Sequence, residues 1–248
     1  MNGLTITEIP VIILVGGLGT RLRPFTETVP KPMIDICGKP FLEYKIEQIK
    51  NAGVKKIILC VGYLGNKVEE HFGDGKKFGV EISYSYEKEL LGTAGAIKNA
   101  EALINSDSFI VMNGDTYTCI NLNKLLDFHS QHNFLITMAV ANATNPKEQE
   151  LVELENNIIT NFYTRNTLEH ENHLKETSTP LINHGVYVIN KEVLILIPQG
   201  IKTSLEQGIF PRLVNKMASF SYFGYMKDLA NIQFCRELEQ DMIGGKIK

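Results

Sequence analysis

A continuous apolar run, Pro10-Val11-Ile12-Ile13-Leu14-Val15, stops abruptly at Gly16-Gly17. A run without polar alternation fits a strand covered on both faces, the condition inside a parallel sheet. Parallel strands need crossover connections, and the chain supplies them. Phe41 to Asn51 sets Leu42, Ile46 and Ile49 at helical spacing, with Gly53 to close the helix. Lys56 to Val61 is a second apolar run, and Val68 to Phe72 reads as the end of another short helix. Val80 to Tyr86 reads as a strand, Ala94 to Ile104 as a helix, Phe109 to Met112 as a third buried strand and Leu122 to His132 as a helix. This alternation predicts an α/β fold, a mixed, mainly parallel sheet flanked by helices.

The second half changes pattern. Leu135 to Ala141, Leu151 to Glu155, Ile158 to Tyr163 and Leu181 to Ile189 read as strands, with a hairpin turn at Asn156-Asn157. Leu205 to Met217 is predicted helical with Pro211 interrupting it, Phe220 to Tyr225 a strand, and Asp228 to Leu238 the last helix. Asn166 to Thr179 is polar with poor periodicity and reads as a surface loop. The expectation is one domain over 1–240, with a nucleotide-binding half at about 10–135, a second half at about 136–240, and a loose tail at 241–248.

Composition removes several classes. The 25 Lys+Arg against 28 Asp+Glu leave a net charge of −3, without the basic excess of a nucleic-acid binder. No apolar run approaches the roughly 18 residues of a membrane span. The first basic residue is Arg21, so no charged segment of a secretory leader is expected. Cys37, Cys60, Cys119 and Cys235 are scattered, which fits free thiols in a reduced, cytoplasmic protein.

The densest chemistry lies in Gly16-Gly17-Leu18-Gly19-Thr20-Arg21-Leu22-Arg23-Pro24, directly after the first strand. Glycines let several backbone N–H groups converge on one anion, and two arginines add charge. Strand ends are where open α/β sheets bind ligands, so this reads as a phosphate loop. Neither a full GxGxxG nor a GxxxxGK[ST] string is present. Lys31, held between Pro30 and Pro32, is a stiff candidate for a phosphate contact. Gly92, Thr93, Ala94 and Gly95 open a helix against which a flat base could lie; Thr93 as a simple N-cap is the competing reading. Asn113-Gly114-Asp115 ends a buried strand on the same sheet edge, where a carboxylate opposite a triphosphate suits Mg²⁺. His170-x-x-His173 has no third ligand nearby and reads as solvated. His129 and His132 end a helix, where positive charge suits the dipole.

These segments, with Pro30-Lys31-Pro32-Met33, Gly73-Asp74-Gly75, Leu91 to Gly95 and Asn183-His184-Gly185-Val186-Tyr187, resemble the sugar-1-phosphate nucleotidylyltransferases, from about Val11 to Cys235. Leu91 to Gly95 is most similar to the mannose-1-phosphate and D-glycero-D-manno-heptose-1-phosphate guanylyltransferases. The resemblance implies a Rossmann-like fold of the nucleotide-diphospho-sugar transferase type. It also implies Mg²⁺, and attack by a sugar 1-phosphate on an NTP to give NDP-sugar and pyrophosphate for surface glycan synthesis. Catalytic roles then fall to Arg21, Lys31 and Asp115. Nucleotide binding falls to Leu14, Gly16, Gly17, Gly19, Thr20, Arg21, Glu87, Gly92, Thr93, Asn113 and Gly114. Asp115 and Asp228 would hold the metal, and Arg165 and Asn183 the sugar phosphate. Asp228 is followed by Leu229-Ala230-Asn231-Ile232 where the family has Ile-Gly-Thr-Pro. Thr164-Arg165 replaces Glu-Lys, and Gln149-Glu150 replaces Tyr-Gly. Glu87 or Glu89 beside the base would favour GTP, since guanine offers two adjacent donors to a carboxylate. A uridylyl-, thymidylyl- or cytidylyltransferase, and a nucleotide-sugar-binding regulatory subunit without turnover, are the alternatives. Homo-oligomerisation is left open.

Overall fold

The computed structural model describes residues 5–247; residues 1–4 of the expected domain and Lys248 of the expected tail lie outside the described residues. In chain order the elements are β1 (Val11–Leu14), the small hairpin β2 (Asp35–Ile36) and β3 (Lys39–Pro40), α1 (Phe41–Asn51), β4 (Lys56–Val61), α2 (Gly65–Phe72), β5 (Glu81–Tyr86), α3 (Gly92–Asn99), β6 (Ser108–Asn113) and β7 (Thr116–Thr118). They continue with α4 (Leu122–Ser130), β8 (Ile136–Asn142), β9 (Leu151–Glu155), β10 (Ile158–Tyr163), α5 (Leu168–Glu176), β11 (Leu181–Asn190), β12 (Met217–Ser221), β13 (Met226–Asp228) and α6 (Ile232–Ile243).

Nine strands form one sheet in the order β5-β4-β1-β6-β11-β8-β12-β10-β9. The expected mixed α/β sheet is present. Parallel pairing is confined to β5-β4-β1-β6 and to β8 with β12, while β11, β10 and β9 run antiparallel to their neighbours. The parallel strands are the continuous apolar runs: Val11, Ile12, Ile13, Ile57, Leu59, Ile110 and Val111 are all sealed from solvent. From β1 the chain winds outward through β4 to β5, then returns to place β6 on the other side of β1. The strand order therefore reverses at β1 and β6, and Leu14 and Asn113 stand in register there. Such a reversal opens a crevice at the strand ends.

The hairpin at Asn156-Asn157 forms as expected, both residues taking positive φ, 51° and 64°. Several expectations about the second half are corrected. Asn166 to Thr179 is not a loop: α5 occupies most of it, capped by Thr167, whose side chain accepts from His170 N. It docks through one apolar side chain, Leu174 against the Ala141, Leu151 and Ile182 cluster, and through His170 and His173, so apolar periodicity does not reveal it. His170 is buried, with Nε2 2.9 Å from the Gln149 carbonyl, and His173 stacks on Tyr163 at 4.2 Å. His170 is thus a docked core residue rather than a solvated one. Leu205 to Met217 is a π-turn (Leu205–Ile209) and a 3-10 turn (Phe210–Arg212), after which Met217 already belongs to β12. Pro211 has no N–H to continue a helix. Phe220 to Tyr225 splits, because the chain leaves β12 at Ser221 and pairs again only at Met226. Asp228 consequently lies in β13, and the last helix begins after Asn231, whose side chain accepts from Phe234 N. That helix runs through Ile243, into the segment expected to be loose.

His129 is corrected as well. It is buried, paired with Thr137 Oγ1 at 2.8 Å and Asn190 Oδ1 at 2.9 Å, and burial pulls its pKa down. It sits neutral in the core and adds no charge to the α4 terminus.

Candidate functional site

The loop after β1 wraps the crevice at the strand-order reversal. A Cβ at Gly16 would stand 2.6 Å from Glu87 Oε1, so a side chain there would have to push that carboxylate aside. Gly19 turns the chain with φ +61°, and a Cβ would meet Thr26 at 2.9 Å. Two cavities adjoin below this loop. The first, about 330 Å³, is lined by Leu14, Gly16, Gly17, Glu87, Gly92, Thr93, Asn113, Gly114, Lys31 and Asp115. The second, about 560 Å³, is lined by Arg21, Thr93, Asn113, Asp115, Arg165, Asn183 and Asp228 among others. Gly19 and Thr20 border a small recess of about 170 Å³ with Arg21, Lys31 and Asp115. Except for Glu89, the residues expected at the site line these adjoining recesses, and Thr93, Asn113 and Asp115 form the wall common to the two larger ones.

The first cavity suits a base. Its walls are mostly apolar or backbone, and Glu87 and Asp115 are the carboxylates among its lining residues. Glu87 Oε2 accepts from Leu91 N at 2.8 Å, and burial raises its pKa. Glu89 is exposed and outside this wall, so its expected part in base selection is withdrawn. Thr93 is not an N-cap: α3 starts at Gly92, and the Thr93 hydroxyl accepts from Leu205 N at 2.7 Å and donates to Glu206 at 2.8 Å.

The charged centre is compact. Lys31 Nζ donates to Asp115 Oδ2 at 2.6 Å and lies 3.8 Å from Asp228 Oδ1, with the lysine side chain only 11% exposed. β7 and β13 bring the two aspartates together: Asp228 pairs with Thr116, and Leu229 N donates to the Asp115 carbonyl at 2.8 Å. Burial raises the Asp115 pKa, but the Lys31 charge and hydrogen bond outweigh it and hold the carboxyl below its ordinary value. Burial and then the Asp115 charge push Asp228 up to about 6. Asp228 Oδ1 has no hydrogen-bond partner among the described residues. Two close carboxylates with one unpartnered oxygen fit a hard divalent cation that takes its remaining ligands from phosphate and water. No group of three or more His, Cys, Asp or Glu that could hold a metal exists among the described residues, so protein alone would not complete the shell.

In the second cavity Arg165 Nε is paired with Glu150 Oε1 at 2.6 Å. Asn183 Oδ1 accepts from Gly185 N at 3.0 Å and from the Tyr187 hydroxyl at 2.8 Å. Thr164 turns away, donating to the Glu206 carbonyl at 3.4 Å. Sequence reasoning missed Lys45 and, though His184 stands in a quoted motif, gave it no role. Lys45 is 1% exposed and donates from Nζ to the Thr116 carbonyl at 2.7 Å. It interrupts the Leu42, Ile46, Ile49 stripe of α1, and a charge on a buried stripe was the signal available. His184, on the wall of the second cavity, is buried, and burial pulls its pKa down to about 4.

A glycine loop, two basic side chains and paired aspartates thus meet at the strand-order reversal of an α/β sheet. A family profile described as nucleotidyl transferase matches residues 10–226, and the chain belongs to that family. It is 34% identical over 242 residues to the mannose-1-phosphate guanylyltransferase of Mycobacterium tuberculosis, covering 96% of this chain and 66% of that protein. It is 32% identical over 221 residues to a UTP–glucose-1-phosphate uridylyltransferase of Synechocystis, covering 84% of this chain and 56% of that one. The chain thus spans two thirds or less of the length of these curated relatives. Among solved structures, HddC from Yersinia pseudotuberculosis complexed with GMP-PN superposes with a TM-score of 0.79 at 27% identity, covering 94% of this chain and 99% of that one. No helix among the described residues is long and apolar enough to cross a membrane.

Proposed function

We propose that the protein is a sugar-1-phosphate nucleotidylyltransferase that joins GTP to a hexose or heptose 1-phosphate, releasing pyrophosphate. The observation that carries this reading is Asp115 on the wall common to the two cavities, one mostly apolar and one polar. A nucleotide in the first and a sugar phosphate in the second would meet beside Asp115.

An oxygen of the sugar phosphate would form a bond to the α-phosphorus as the α–β phosphoanhydride bond breaks, and the pyrophosphate would leave in line. No protein nucleophile is needed, so catalysis is positioning and charge neutralisation. Backbone N–H groups of Gly16, Gly17 and Gly19 would cradle the triphosphate. Arg21 and Lys31 would offset charge growing on the leaving group. Arg165 would bind the sugar phosphate and Asn183 the sugar. Asp115 and Asp228 would hold Mg²⁺, which when bound supplies positive charge to the reacting phosphates. Guanine is favoured by Glu87 and by the likeness to the M. tuberculosis enzyme and to HddC with its guanine nucleotide analogue. The Synechocystis relative keeps UTP as the second reading.

A pyrophosphate-release screen of the common NTPs against sugar 1-phosphates tests this. Turnover with GTP and a mannose- or heptose-type 1-phosphate is expected; no turnover with any pair would leave the regulatory-subunit reading in its place.

A further inference from the structure

The Lys31 ammonium stands between the two carboxylates, 2.6 Å from Asp115 Oδ2 and 3.8 Å from Asp228 Oδ1. These are the groups proposed to hold the divalent cation. An ammonium in such a seat supplies the positive charge that the carboxylates demand. We propose that Lys31 is the resident cation of this two-aspartate site, so that the site takes a divalent cation as its nucleotide complex and resists the free ion. The proposal rests on the assignment of Asp115 and Asp228 as metal ligands.

Three features support it. Lys31 is held at its base: Pro30 and Pro32 flank it, it opens a 3-10 turn (Lys31–Met33), and its side chain is 11% exposed. It is therefore an ordered occupant and not a passing surface charge. Second, Lys45 lies fully buried beneath the same centre, and Asp115 is the charge that acts on it. Two aspartates are thus matched by two lysines, and the cluster offers a free cation little net attraction. A hard cation would also have to displace an ammonium hydrogen-bonded at 2.6 Å. Third, Lys31 lines the nucleotide cavity as well as the small recess with Gly19, Thr20 and Arg21. A triphosphate there would bring the anionic oxygens that draw Lys31 off Asp115, and would carry its own cation into the seat. The exchange is one cation for another across the same carboxylates, with no change in their number.

Mn²⁺ binding, read by electron paramagnetic resonance without turnover, tests this on the full chain. The wild-type protein alone is expected to bind Mn²⁺ weakly, and a non-hydrolysable nucleoside triphosphate to tighten binding at least tenfold. Without nucleotide, Lys31→Met should bind Mn²⁺ at least tenfold tighter than wild type, and adding Asp115→Asn should remove that gain. Lys31→Gln, checked by circular dichroism, replaces Lys31→Met if the latter does not fold. Nucleotide-free binding that is unchanged or weaker in both Lys31 variants would overturn the proposal. So would equal wild-type affinity with and without nucleotide. The nucleotide-free arms do not depend on which base or sugar the enzyme uses, so a failed GTP assignment leaves them interpretable. A gain that survives Asp115→Asn would refute the metal-ligand assignment itself.

Discussion

Lys45 Nζ donates to the carbonyl of Thr116, the residue that follows Asp115 in the chain and faces Asp228 across the β7–β13 ladder. One buried lysine on α1 thereby fixes the short ribbon that carries both aspartates. The bond explains why a charge is tolerated on an otherwise apolar helix face: it ends on the backbone of the site and not on bulk core.

This burial has a pH signature. Burial lowers the Lys45 pKa from 10.5 to about 8, with Asp115 opposing the shift. Below about 8 the lysine is charged in folded and unfolded chains alike, and the folded state bears the whole cost. Between about 8 and 10.5 the unfolded chain binds more protons than the folded one, so this group makes stability rise with pH. The difference in unfolding free energy, wild type minus Lys45→Met, should increase across that window by on the order of 3 kcal/mol. Urea unfolding at stepped pH measures it. A flat difference would mean that Lys45 stays charged in the fold.

Asp115→Asn should keep the fold and lose nearly all turnover. The change removes a charge at almost constant volume from a two-carboxylate cation site. It also removes the negative charge that Lys31 faces at 2.6 Å. Near wild-type kcat at saturating Mg²⁺ in a folded variant would remove Asp115 from the metal site.

Arg21 is exposed, and it lines both the second, more polar cavity and the recess beside Gly19 and Thr20. Arg21→Ala should therefore spare stability and lower kcat/KM for the nucleotide by on the order of 10²-fold, since one preorganised donor is worth about 3 kcal/mol. An unchanged nucleotide kcat/KM with a raised KM for the sugar phosphate alone would assign Arg21 to the second cavity.

Much of the parallel half could be read from sequence because each link there has a strong local cause. Val11 to Ile13 and Ile57 to Val61 are sealed on both faces, so they are written as unbroken apolar runs, and α1 shows its stripe. The second half is stabilised differently. Docking of α5 rests on His170 and a ring stack, the 205–212 segment on turns capped by Ser204, and β13 on a partner over a hundred residues away, Thr116 for Asp228. None of these leaves a period in the sequence. The glycine loop after β1 was legible because its turn and close contacts, at Gly19 above all, need glycine. Lys45 and His184 were not, because a buried polar residue is recognised by what the fold brings to it.

Base selection is the sharpest test of the first cavity. Guanine presents N1–H and N2–H₂ side by side, and one carboxylate can accept both. Uracil and thymine present N3–H between two carbonyl oxygens, which a carboxylate repels. Glu87 is the carboxylate on that wall besides Asp115, and it is held by Leu91 N and lies close to Gly16, where a Cβ would stand 2.6 Å from its Oε1. Its pKa is raised by burial, so neutralising it should cost the fold little. Glu87→Gln keeps the shape and the bond from Leu91 N but replaces one acceptor by a donor. Its preference for GTP over UTP, taken as the ratio of kcat/KM values, should fall by about tenfold or more, the scale of one lost charge-assisted hydrogen bond. Glu89→Gln, altering an exposed side chain outside the cavity wall, should leave that ratio where it was. A wild-type enzyme that takes UTP, dTTP or CTP with kcat/KM above that for GTP would refute the guanine assignment and leave the nucleotidyl-transfer class untouched.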